Sequence, residues 1–119
     1  MSFYESIQTK TYITSADVTQ YKFVVQSSGL AATAGTAGVR VEGVSITDAL
    51  SGKAISVAYS GRVPVTAGGT IAKGAAVATT NAGKAATATT GQIIVGTALE
   101  AAVNGQIMTI ELRLDGTAA

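Results

Sequence analysis

The chain contains no histidine, no cysteine and no tryptophan, and its one proline is Pro64. Each absence removes a class of chemistry. Without histidine the commonest general base and metal ligand is missing. Without cysteine there is no disulfide, no zinc-thiolate site and no thiol nucleophile, and the redox compartment leaves no mark. Charge is scarce as well. Charged residues are 13% of the 119, against about 25% in an ordinary soluble domain. The formal net charge is +1, and the lysines and arginines stand singly along the chain. That scatter argues against nucleic acid, which is served by clustered positive charge and stacking aromatics.

The opening MSFYESIQTK has neither a basic n-region nor an apolar h-region, so no secretory signal is expected. No apolar run approaches about 20 residues, so no membrane-spanning helix is expected. The protein is expected to fold in the cytoplasm where it is made.

The seven acids are Glu5, Asp17, Glu42, Asp48, Glu100, Glu111 and Asp115. None forms a spaced pair on one expected face, so a carboxylate pair would have to be assembled by folding alone. No G-x-S-x-G elbow is present, and no calcium loop with acids at alternating positions. Residues 27–38 (SSGLAATAGTAG) are glycine-rich but lack the phosphate-loop pattern and a following amphipathic helix. Asn104-Gly105 reads as a plain turn rather than a partner for a lysine cross-link. The reading is of a protein that is not an enzyme and holds no cofactor or metal.

What is present is small and apolar. Hydrophobic residues are 47% and aromatics 5%, with Ala, Val and Ile supplying most of the total. The length suits one domain. Its core is built from small side chains that each bury little area, so an isolated monomer has modest stability. Low charge points to an outer surface covered by partners.

The pattern is that of short strands punctuated by glycine turns. In residues 54–65 (AISVAYSGRVPV), Ile55, Val57 and Tyr59 share one face while Ser56, Ala58 and Ser60 share the other. Gly61 interrupts the alternation. Pro64 marks an edge or a strand end. Residues 106–114 alternate most cleanly. Met108, Ile110, Leu112 and Leu114 are expected to face the core, with Ile55, Val57 and Tyr59 on a facing or paired strand, while Thr109, Glu111 and Arg113 point outward.

Elsewhere the signals are shorter. Residues 21–26 (YKFVVQ) read as a strand, and 27–38 as a loop or weak edge strand. Residues 39–47 carry a phase shift at Gly43 that suggests a β-bulge. Residues 75–80 and 92–99 read as strands, with Gly96 a point of close backbone approach, and 115–119 as a frayed tail. With no convincing helix, the expected fold is all-β: a small β-sandwich or β-barrel with an extended N-terminal arm.

Residues 1–19 are the least regular part, and residues 20–119 form the expected core domain. The first segment holds Phe3, Tyr4 and Tyr12, three of the six aromatics, together with Ile7. It reads either as a first strand packed on the core or as an arm reaching a neighbouring subunit, with Phe3, Tyr4, Ile7 and Tyr12 as the candidate contact residues. On the arm reading, a chain starting at Val18 would still fold.

The order of these pieces resembles a known family. Gly43-Val44, Gly52-Lys53-Ala54, AISVAYSG and Val63-Pro64-Val65 follow in turn, then AGGTIAKG, NAGKA, IIVGTALEAA, Gly105 and MTIELRL. This order is similar to that of the small capsid cement, or decoration, proteins of tailed bacteriophages. The likeness runs over about residues 39 to 114, close to two-thirds of the chain, and residues 1–19 look like an addition to it.

The resemblance implies a structural protein on the outside of an icosahedral head, bound after the shell expands. It implies contact with the major capsid protein where several subunits meet, and a homo-oligomer, most often a trimer. The expected location is therefore the virion exterior. A second reading is a virion-displayed module for adhesion or host recognition through loops 27–38 and 85–91. Those loops are nearly all Ala, Thr and Gly, which gives a cell surface little to hold. A third, a small hydrolase, lacks its histidine.

Overall fold

The computed structural model describes residues 8–114 and 116–119, and among them there is no helix. Ten strands form two sheets. The first sheet contains β1 (Gln8–Thr14), β2 (Phe23–Ser27), β3 (Leu30–Thr33), β4 (Gly43–Ser45) and β5 (Ala54–Ser60). It closes on itself in the order β1-β3-β2-β4-β5, because β5 also pairs with β1. The second contains β6 (Arg62–Thr66), β7 (Ala76–Thr79), β8 (Ala85–Thr87), β9 (Gly96–Ala98) and β10 (Ile107–Leu112), in the order β6-β10-β9-β7-β8. The all-β expectation holds, and the molecule is a small barrel with a second sheet packed on its outside.

Two apolar clusters follow from this layout. The smaller one fills part of the barrel with Val18, Val24, Ala31, Ala49, Ile55 and Val57. The larger one lies between barrel and second sheet. Phe23, Val44 and Ala58 come from the barrel side, and Val63, Val65, Val77, Met108 and Ile110 from the other. Strand β5 serves both clusters. Its period of two sends Ile55 and Val57 inward and leaves Ala58 fully buried against the second sheet. A residue as small as alanine at that position lets the two layers come close.

The phase read for residues 106–114 is correct. Met108 and Ile110 are buried, Leu112 and Leu114 pack against the larger cluster, and Glu111 and Arg113 are exposed. Its expected neighbours are not. Strand β10 pairs with β6 and β9, and Ile55 and Val57 belong to the barrel cluster. Gly61, at φ 101°, is the reason. It sits where the chain leaves one sheet for the other, so residues 54–60 and 62–66 share an alternation but not a layer.

Four further expectations are revised. Residues 30–33 form a central strand of the barrel, between β1 and β2, rather than a loop or edge. The β2–β3 connection is a two-residue turn, with Ser28 at φ 53° and Gly29 at φ 82°, and positive φ at both positions matches strand twist. At Gly43 the ladder shows no bulge. A Cβ there would overlap the carbonyl oxygen of Ala58, so glycine permits close approach of β4 to β5.

Residues 92–99 contribute only Gly96–Ala98 to the sheet. Residues 92–94 pair instead with the tail, the Ile94 amide donating to Thr117 at 2.7 Å and the Ala119 amide to Gln92 at 2.8 Å. The tail is therefore bonded at these residues rather than frayed. Pro64 sits on β6, an edge of the second sheet, as a residue without an amide hydrogen should.

Residues 8–14 of the segment read as an arm or a first strand form β1, hydrogen-bonded to β5 on one side and β3 on the other.

Candidate functional site

The carboxylates in the described part mostly organise loops. Asp17 Oδ1 accepts from the Ser51 amide at 2.8 Å, and Asp48 Oδ1 from the Gln20 amide at 2.6 Å. Glu100 Oε2 accepts from the Thr109 amide at 3.4 Å. Among the described residues no group of three or more acids could hold a metal ion. Nor does any buried side-chain nitrogen or oxygen there lack a hydrogen-bond partner. What the described surface offers is shape and apolar area.

Strand edges offer little to a partner. The barrel is closed, which removes its edges altogether. On β6 the edge carries Pro64, and the Thr66 amide already donates to the Tyr21 carbonyl at 2.9 Å. On β8 the edge is three residues long, and its Ala85 carbonyl accepts from the Gly68 amide at 2.7 Å. A partner must therefore be met by side chains rather than by an added strand.

Among the described residues the exposed large apolar ones are Ile13, Leu30, Leu50, Val103 and Ile107. Ile13 and Leu30 are register partners on β1 and β3. Leu50 lies on the connection next to them, its carbonyl accepting from Thr14 Oγ1 at 2.8 Å. Three of the five thus gather at the Ala54 end of the barrel. Val103 and Ile107 flank the Gly105 turn that leads into β10.

A cleft opens into the barrel beside the larger cluster and holds about 380 Å³. Lys10 and Tyr12 of β1 and Val57 and Tyr59 of β5 line one side, and Arg40, Val41, Glu42 and Leu114 the other. The Lys10 Nζ stands 5.7 Å from the centroid of the Tyr59 ring. A second basic pair, Lys22 and Lys84, lies where the sheets meet. Burial, and then the positive charge of Lys84, lower the Lys22 pKa, with Asp48 acting in the opposite sense.

Of the four candidate contact residues, Phe3, Tyr4 and Ile7 lie outside the described residues. Tyr12 is half-buried on β1, packed against the barrel cluster and lining the cleft. Sequence reasoning missed the cleft because its walls come from four separate segments, around residues 10–12, 40–42, 57–59 and 114, that only folding brings together. The one local signal was the alternation that puts Lys10 and Tyr12 on a single face.

Comparison with known proteins agrees with this architecture. The family model described as phage cement protein matches residues 4–114. Among solved structures, the chain is similar to the head fiber gp8.5 N base of bacteriophage phi29, with a TM-score of 0.78 at 21% identity, covering 96% of this chain and 100% of that one. At that identity the likeness is one of fold. No curated protein matches the chain. The match over almost its whole length, from the first barrel strand to the end of β10, shows that this chain belongs to the phage cement protein family.

Proposed function

We propose that this protein binds the outer surface of an icosahedral phage head and stabilises the shell. Membership of the cement family gives it a structural role on the phage capsid, and the match over residues 4–114 is the observation that carries the reading. The finer statements rest on physical support. A chain with 13% charged residues that, among the described residues, exposes five large apolar side chains suits contact with protein better than permanent exposure to water.

The partner is the major capsid protein, met where several subunits adjoin, and the protein acts as a homo-oligomer, a trimer in the simplest case. Phe3, Tyr4, Ile7 and Tyr12 are the proposed contacts to capsid or to a neighbouring copy. Several weak contacts engaged at once through an oligomer multiply in strength.

The test uses phage heads that lack the protein. Purified protein is added to expanded and unexpanded shells, which are then sedimented and heated. Cementing predicts saturable co-sedimentation with expanded shells and a higher temperature of DNA release. Co-sedimentation without any gain in shell stability would overturn the stabilising role.

A second reading, a virion-displayed module for adhesion or host recognition, draws support from the fold shared with a head fiber base. It predicts binding of the free protein to host cells. A cement protein predicts none.

A further inference from the structure

We infer that the mouth of the barrel is a binding site for the C-terminal residue of a peptide chain. The inference stands apart from the capsid reading and concerns the free protein. The barrel is filled at one end by Val18, Ala31 and Ile55, whereas beyond Val57 its interior opens into the cleft. At about 380 Å³ the cleft lies within the range of small-ligand sites, roughly 300–1,000 Å³. Mouths of small barrels are common places for such sites.

The lining carries three chemistries. Val41 and Val57 are buried and make an apolar floor. Lys10 and Arg40 bring two positive charges to the rim, the first held over the face of Tyr59. Arg40 has the planar fork that matches a carboxylate. Glu42 adds one negatively charged hydrogen-bond acceptor. Among the described lining residues two cations and one anion leave a surplus of one positive charge, so the complement is a monoanion that also donates one hydrogen bond.

A peptide C-terminus has those parts in that order. Its carboxylate meets Lys10 and Arg40, its last amide N–H donates to Glu42, and its apolar side chain rests on the valines. An inorganic anion would leave the floor uncovered, and a simple hydrocarbon would leave the rim charges unanswered.

The probe is N-acetyl-phenylalanine, titrated into the full chain and followed in two-dimensional amide NMR spectra. Two analogues are compared with it. N-acetyl-phenylalaninamide lacks the charge, and hydrocinnamate lacks the amide donor. Saturable shifts are expected at Lys10, Tyr12, Arg40 and Val57, with a dissociation constant below about 10 mM. Lys10→Gln and Arg40→Gln should each weaken binding about tenfold, and the uncharged analogue should bind at least as poorly as either variant. Both positions are exposed, and unchanged shifts in the second sheet verify that the variants are folded.

The site is overturned if no shift saturates, if the shifts fall outside the mouth, or if the uncharged analogue binds equally well. Equal binding of hydrocinnamate would overturn the peptide assignment.

Discussion

Gly96 of β9 lies so close to β10 that a Cβ at this position would stand 2.6 Å from the carbonyl oxygen of Glu111. That oxygen belongs to a strand fixed on both sides, by β6 and by β9. It cannot move without disturbing two ladders. Gly96→Ala should therefore destabilise the fold by about 1–3 kcal/mol, as overpacking does. Gly69 is the control, since a Cβ there meets nothing within 4 Å. Urea unfolding midpoints of the two variants check the difference. Equal midpoints would mean that β9 sits farther from β10 than the structure places it.

Within β10 the two faces should differ sharply. Ile110 is fully buried in the larger cluster, while Thr109 is half-exposed on the opposite face. Ile110→Ala should cost about 2–5 kcal/mol, the range for cavities left by large apolar side chains. Thr109→Ala should be nearly neutral, because the bond from residue 109 to Glu100 is made by its backbone amide. Chemical denaturation of both variants separates the outcomes. Comparable losses would mean that the strand is shifted by one residue.

That face was legible because residues 108–114 alternate without interruption. What the local pattern could not carry was the layer in which each strand lies. Residues 54–60 and 62–66 alternate in the same phase on either side of Gly61, yet they lie in different sheets, so Ile55 and Val57 serve the barrel cluster. The strand Leu30–Thr33 was illegible for another reason. Its side chains are too small to announce a buried position, although Ala31 is fully enclosed. The cleft is a product of tertiary structure, joining β1, β5, residues 40–42 and Leu114. The absence of histidine and cysteine, by contrast, was plain from composition alone.

Lys22 gives a pH dependence with a definite sign. Its folded pKa lies below the ordinary value of 10.5, through burial first and the neighbouring Lys84 second. The folded state then binds fewer protons than the unfolded state between the two values, so stability rises with pH across that window. Below the lowered folded pKa the charged amine is a fixed handicap, and above 10.5 it is relieved. Lys22→Met removes the group. The urea midpoint of the wild type, measured relative to that variant, should improve from pH 8 to about 10.5. A flat difference would show that Lys22 is fully solvated in the folded state.

The last prediction separates the terminal segment from the strand that follows it. A chain starting at Gln8 keeps every described strand of the barrel, and its thermal melt should remain cooperative. A chain starting at Val18 loses β1. Removing it opens the closed sheet, bares β3 and β5 along their lengths, and takes Tyr12 from the barrel cluster. That chain should melt without a sharp transition or aggregate, in contrast to the expectation from sequence that it would still fold. The shorter deletion then isolates Phe3, Tyr4 and Ile7 as contacts. If they anchor the protein, the Gln8 chain should decorate expanded shells far more weakly than the full chain while melting at a similar temperature, because aromatic anchors dominate interface energy and an oligomer multiplies their loss. If it decorates normally, attachment belongs to the folded surface. Ile13, Leu30 and Leu50 at the Ala54 end of the barrel are then the residues to change, and charged substitutions there should abolish decoration without unfolding the chain.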